Sequence, residues 1–142
     1  MAVSDGRGAR LFSYGSPGLG NVGSYQVSGV PWITGSTTLA QNTEDKWTFP
    51  RVAKAVTILN DSAEDIRIHF NSKDADGRVI AGKHYFTLTA LRDSLTVTMK
   101  CTDIYISHAG ESAGNASYTI MAELTNVEAG NMMQLTGSGL TD

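Results

Sequence analysis

The amino-acid sequence predicts an all-β protein: a single antiparallel β-sandwich preceded by an extended, glycine-rich arm. From about residue 44 to residue 125, apolar residues alternate with polar ones with a period of two. About seven or eight short strands follow at roughly ten-residue intervals, a spacing typical of sandwiches and barrels. No window shows the 3.6-residue period of an amphipathic helix.

The arm is assigned to residues 1–43. They contain eight of the 15 glycines and no recurring apolar period. Such a segment cannot bury a core of its own, so we expect it to become ordered only against another surface. The apolar stretch Val30–Ile33 is either an edge strand, where Pro31 is tolerated, or an anchor.

Three glycines of the arm, Gly18, Gly20 and Gly23, have the G-x-G-x-x-G spacing of a dinucleotide-binding loop. That loop needs a buried strand before it and a helix after it, because the helix N-terminus binds the pyrophosphate. Polar residues interrupt the preceding stretch, and Gly29 and Pro31 break any following helix. We therefore expect these glycines to give the arm conformational freedom and to bind no phosphate.

The sandwich is assigned to residues 44–128. The clearest strand is "EDIRIHF", in which Ile66 and Ile68 face one way while Arg67 and His69 face solvent. The other residues predicted to share inward faces are Trp47, Phe49, Val52, Val56, Ile58, Phe70, Leu95, Val97, Met99, Ile104, Ile106, Tyr118, Ile120, Ala122 and Leu124, and a further strand is assigned to the stretch that contains Tyr85, Phe86 and Leu88. Asparagine, aspartate and glycine mark the turns between the strands.

Residues 129–142 form a tail with a weaker pattern. Met132, Met133 and Leu135 are apolar but do not alternate as a strand does. We interpret them as a second docking segment.

Charge and composition exclude several classes of function. The net charge of −3 gives no basic surface for nucleic acid. The sequence has no apolar run long enough to cross a membrane and no apolar core of a secretory leader, so we expect synthesis in a cytoplasm. Cys101 is the one cysteine, which excludes an internal disulfide.

No catalytic or metal-binding set is legible, so we expect no enzyme activity and no cofactor. His69, His84 and His108 are spread over different strands, whereas zinc needs three or four converging ligands. "SKDADGRVIAGK" resembles a calcium loop, but Lys83 stands where a bidentate glutamate is needed. No serine lies in a G-x-S-x-G motif, and adjacent carboxylates in a strand point to opposite faces.

Aromatic residues supply an alternative to a purely structural role. Tyr105 alternates with Ile104 and Ile106 and is therefore expected to face outward. With Asn115 or Asp103 nearby, it is the best candidate for a sugar-binding surface.

The stretches "GSYQVSGVPWITGS", "WTFPRVAKAVTILNDS", "KCTDIYIS" and "YTIMAELTNV" carry a resemblance. Over residues 24–128 the chain resembles small virion structural proteins of tailed bacteriophages, and is similar to jelly-roll decoration, or cement, proteins. The resemblance implies a jelly-roll-like sandwich, a homotrimer on the capsid surface, and the major capsid protein as partner. It does not separate a head decoration protein from a neck, tail or fibre component, for which a glycan ligand stays open.

The residues expected to bind partners come from the arm and from the outward-facing aromatic position. They are Tyr14, Tyr25, Val30, Trp32, Ile33 and Tyr105. In this interpretation the arm lies across a neighbouring subunit and adds a strand to it.

Overall fold

The computed structural model describes residues 19–20, 29–73, 78–110, 113–133 and 135. All of the described strand pairs are antiparallel, and among the described residues helix is limited to α1 (Arg78–Ala81) and one 3-10 turn (Ala129–Asn131). The strands are β1 (Val30–Leu39), β2 (Glu44–Asn60), β3 (Ile66–His69), β4 (Phe86–Leu88), β5 (Ser94–Val97), β6 (Cys101–His108) and β7 (Ala116–Glu128). The predicted all-β, antiparallel class is confirmed.

Strand β2 organises the sheet because its two ends pair with different neighbours. Its first section, Glu44–Thr48, pairs with β6. Its last section pairs with β7 on one side, and with β5 on the other over residues 56–59. Pro50 lies between the sections, where the register shifts, and proline cannot donate a ladder hydrogen bond. The sheet order is therefore β1-β7-β2-β6-β3-β4, with β5 also on β2.

The core draws on both sections of β2 and on their neighbours. Trp32 of β1 packs edge-on against Phe49 and Trp47, with ring centroids 4.9 and 6.2 Å apart. The buried side chains of this single cluster are Leu39, Phe49, Ala53, Val56, Ile58, Ile66, Ile68, Leu88, Cys101, Ile104, Ile106, Ala116, Tyr118, Ile120, Ala122 and Leu124. Burial of this apolar surface is the main favourable contribution to folding.

A polar chain of three side chains ties the first section of β2 to β7. The indole Nε1 of Trp47 donates to the Tyr118 hydroxyl at 2.8 Å, and that hydroxyl donates to the Asp45 carboxylate. Burial raises the pKa of Tyr118, and so does its hydrogen bond to Asp45. The hydroxyl therefore stays neutral and keeps its donor role at physiological pH.

Gly35 allows β1 to approach β7 closely. A Cβ added at this position would lie 2.4 Å from the carbonyl oxygen of Tyr118, far inside van der Waals contact. Gly35→Ala is expected to lower the free energy of unfolding by about 1–3 kcal/mol, because β1 must move away from its partner strand. Urea unfolding tests this, with Gly130→Ala as control, since a Cβ at Gly130 meets nothing within 4 Å. Equal stability of the two variants would refute the close-approach explanation.

The sheet begins earlier in the chain than the predicted boundary at residue 44. Residues 30–39, assigned from sequence to the arm, form β1 and pair with β7. Of the two alternatives for Val30–Ile33, the structure shows the edge strand. Trp32 draws this segment into the sheet, because its ring packs in the core.

The exposure of two side chains differs from the sequence prediction. Met99 follows the end of β5 and is 39% exposed, although it was placed on an inward face. His69 was predicted to be exposed and is completely buried. The Asn71 carbonyl accepts a hydrogen bond from the His69 imidazole, and the ring of Tyr105 stacks on it, so both sides contribute to the burial of His69.

Candidate functional site

The residues predicted to bind partners fall in separate places. Tyr14 and Tyr25 lie outside the described residues. Val30, Trp32 and Ile33 lie on β1, while Tyr105 lies on β6. The structure therefore offers two candidate surfaces: the free edge of β1, and the surroundings of Tyr105.

The edge of β1 is the first candidate. Among the described strands, β1 pairs only with β7, so its other long edge has no strand beside it. Its sequence, VPWITGSTTL, contains no charged residue. Natural edge strands usually carry charges, bulges or covers that prevent pairing with another chain. Such protection here consists of Pro31 and a register shift between Ser36 and Leu39.

Side chains alternate along β1. Trp32 faces the core and packs against Phe49, so its indole helps hold β1 in position. Ile33 faces outward and is 65% exposed, and Val30 at the start of the strand is 59% exposed.

An exposed methionine extends this surface onto the next strand. Met121 of β7 is the register partner of Ile33 and is 41% exposed. We call Val30, Ile33 and Met121 the β1–β7 patch. Sequence reasoning missed Met121, although a signal was present, since it is an apolar residue out of phase with its buried neighbours Ile120 and Ala122.

Tyr105 lies at the second candidate surface, a polar cavity of about 220 Å³. Its described lining includes Lys46, Asn71, Asp103 and Tyr105. Asp103 accepts a hydrogen bond from the Thr48 hydroxyl at 2.7 Å. The cavity brings together the predicted pair of Tyr105 and Asp103, whereas Asn115 is not part of its described lining.

The ring of Tyr105 already has neighbours. It stacks on His69 at 5.9 Å between centroids, with an interplanar angle of 11°. The ammonium group of Lys46 lies 5.7 Å from the ring centroid. A ligand that stacks on this ring would have to displace one of these groups.

The C-terminal segment contributes to the same cavity. Met132, Met133 and Leu135 belong to its lining. These are the residues that the sequence suggested as a second docking segment, and here the surface beside them belongs to their own chain.

His69 is buried beneath this cavity in a defined tautomer. Its Nδ1 donates to the Asn71 carbonyl at 2.6 Å, so its Nε2 accepts from the Ser107 hydroxyl at 2.9 Å. Burial lowers the pKa of His69 below its ordinary 6.5, and outweighs the opposing effects of the Asn71 carbonyl and of Glu44.

Acidification is therefore expected to destabilise the protein through His69. Below the unfolded-state pKa, about 6.5, the unfolded chain binds this proton more readily than the folded chain, so stability falls as pH falls toward the folded pKa. In His69→Gln, the free energy of unfolding should therefore fall less between about pH 7 and pH 5.5 than it does in the wild type. Urea unfolding at both values measures it, with exposed His84→Gln as control. A His69→Gln slope equal to the wild-type slope would contradict this.

The described segments contain a buried thiol, and their potential metal ligands do not cluster. Burial and the nearby Asp103 carboxylate raise the pKa of the Cys101 thiol to about 12. Such a thiol does not form the thiolate that nucleophilic chemistry requires. Within these segments, no three histidine, cysteine, aspartate or glutamate side chains converge as metal ligands.

The part of the chain that the structure describes contains no helix of the length and hydropathy needed to span a membrane. Comparison with known proteins found no family model and no curated sequence that matches the chain.

Proposed function

We propose that this chain is a non-enzymatic virion structural protein. It decorates a bacteriophage capsid as a homotrimer and cements it by bridging neighbouring copies of the major capsid protein. Its fold in this proposal is a jelly-roll-like β-sandwich with an extended N-terminal arm.

Strand pairing supports the jelly-roll part of the proposal. When the two sections of β2 are counted separately, the pairs form two sets of four strands, β1-β7-β2-β5 and β2-β6-β3-β4. Two four-stranded antiparallel sheets connected by Greek keys are the architecture of jelly rolls, which occur in viral capsid proteins and lectins. The single core shared by both sets fits two sheets packed face to face.

The observation that carries the functional proposal is the free, uncharged edge of β1 beside the β1–β7 patch. Unpaired backbone groups along a sheet edge are a template for another strand. Ile33 and Met121 add exposed apolar surface at that edge. An edge of this kind suits assembly with another chain.

Assembly explains how weak contacts would cement a shell. Several copies around one symmetry axis bind together, so their individual contacts add avidity. The 18 residues before Leu19 could extend to at most about 60 Å, far enough to cross from one subunit to the next. Bridging of this kind resists outward pressure on the joints between capsid subunits.

The proposal is tested by mass and by capsid binding. Light scattering on the purified chain should give the mass of three copies. Co-sedimentation with expanded capsids of the encoding phage should reach saturation at a fixed number of trimers per capsid. A chain that stays monomeric and remains in the supernatant would refute the proposal.

A second candidate function follows from the Tyr105 cavity. Tyr105, Asp103 and Asn71 combine an aromatic ring with carboxylate and amide groups, which suits recognition of sugar hydroxyls. The chain would then act in host attachment on a tail, neck or fibre base. A glycan array is the test: hits that Tyr105→Ala abolishes would favour this function, and an array without hits would remove it.

A further inference from the structure

A cavity bounded by described residues lies where the chain leaves β5, on the same outward face of β7 as Met121 of the β1–β7 patch. Its volume is about 460 Å³, and its described lining is Lys54, Ala55, Thr98, Met99, Lys100 and Glu123. We call it the Met99 cavity. It opens on the side of β2 and β7 that faces away from the core, because Glu123 alternates with the buried Ala122 and Leu124.

The N-terminal segment of the same chain reaches the rim of this cavity. The ammonium group of Lys100 donates to the Leu19 carbonyl at 2.7 Å. Leu19 is half-buried there. The residues that precede Leu19 in the chain therefore start from the edge of the Met99 cavity.

The chemistry of the cavity suits an apolar side chain. Met99 and Ala55 line it with carbon and sulfur atoms, and a lysine stem covers apolar surface while its ammonium group stays in water. Met99 itself is 39% exposed, so an occupant would bury it. Lys54 and Glu123 form an ion pair at 3.8 Å on the same surface.

The sequence before Leu19 supplies such side chains at a short distance. Leu11, Phe12 and Tyr14 are separated from Leu19 by Gly15, Ser16, Pro17 and Gly18. Glycine and proline at this density are typical of a chain reversal. A reversal there would direct the aromatic residues back toward the cavity from which the segment starts.

We propose that the Met99 cavity is the docking site for Leu11–Tyr14 of the same chain. In the free protein the arm is then held on its own subunit, and Leu11–Tyr14 must leave the cavity before the whole arm can reach a neighbouring subunit. A methionine-lined cavity holding an aromatic side chain also gains sulfur–ring contacts. The proposal holds whether or not the chain binds capsids, so the two can fail separately.

Amide hydrogen exchange tests this docking in the free full-length protein. Amides of residues 11–14 should exchange about tenfold more slowly than in an unstructured peptide. Met99→Glu should abolish that protection, because it places a carboxylate where the aromatic residues dock. Met133→Glu is the matched control, since Met133 is 52% exposed and lines the other cavity. Unprotected wild-type amides, or protection that survives Met99→Glu, would overturn the proposal.

A cysteine pair identifies which copy supplies the segment. Tyr14→Cys with Thr98→Cys, treated with a short bismaleimide, should cross-link within one chain and keep the monomer mass under denaturing conditions. Cys101 does not interfere, because it is buried and its pKa is raised to about 12. Cross-links between chains would assign the cavity to a second copy, and failure to cross-link would exclude Leu11–Tyr14. Either result would overturn the proposal.

Discussion

Asn60→Ala is expected to lower the free energy of unfolding by about 3 kcal/mol or more, since four side-chain hydrogen bonds are lost together. Asn60 is completely buried at the end of β2. Its Nδ2 donates to the carbonyl oxygens of Glu64 and Leu88, at 2.9 and 3.2 Å. Its Oδ1 accepts from the backbone N–H and the hydroxyl of Ser62. Alanine would leave the buried Leu88 carbonyl and the half-buried polar groups of Glu64 and Ser62 without these partners.

Asn60 also fixes the position of a turn through its backbone. Its N–H donates to the Asp93 carbonyl, and its own carbonyl accepts from the Arg92 N–H. Those backbone hydrogen bonds are kept in Asn60→Ala. The loss of unfolding free energy therefore reports on the side chain alone. Urea unfolding measures it, with exposed Asn126→Ala as control. A loss under about 1 kcal/mol, the net value of one ordinary hydrogen bond, would show that the network is not cooperative.

Ile33→Asp is expected to abolish assembly while the subunit stays folded. Ile33 is 65% exposed, so the free subunit tolerates a carboxylate there. In an assembled edge the same carboxylate would be desolvated beside Met121 without a partner. We expect capsid affinity to fall at least about tenfold, and the trimer to dissociate.

The control for Ile33→Asp is Leu91→Asp. Leu91 is 58% exposed and precedes β5, outside the β1–β7 patch. Leu91→Asp should leave the trimer mass and capsid binding unchanged. Equal binding by the wild type and Ile33→Asp would exclude β1 as the assembly edge.

Sequence periodicity predicted which way most strand residues face, but not which strands pair. Ile66 and Ile68 are buried as the alternation requires. The stretches around Pro50 appeared as successive strands, yet they form one strand that exchanges partners at that proline. Alternation reports one face of a strand, whereas pairing depends on distant segments and on bulges.

The local sequence pattern also does not predict which outward-facing side chains become buried by contacts with other segments. His69 sits on the outward face of β3 as predicted, but it is buried by contacts that include the Asn71 carbonyl and the ring of Tyr105. Tyr105 and Asp103 share a face because they are two residues apart, which the sequence does show. Lys46 reaches the same cavity only through its register with Tyr105 in β2 and β6, which the sequence does not specify.

Amide hydrogen exchange of β1, with and without capsids, tests the central claim most directly. If β1 is the assembly edge, amides of residues 30–39 that point away from β7 exchange rapidly in the free subunit. They should become protected on capsids, while Ile33→Asp leaves them unprotected. The same rapid exchange in both states, in a sample whose mass shows bound subunits, would contradict the claim. The search for the contact surface would then move to Tyr105.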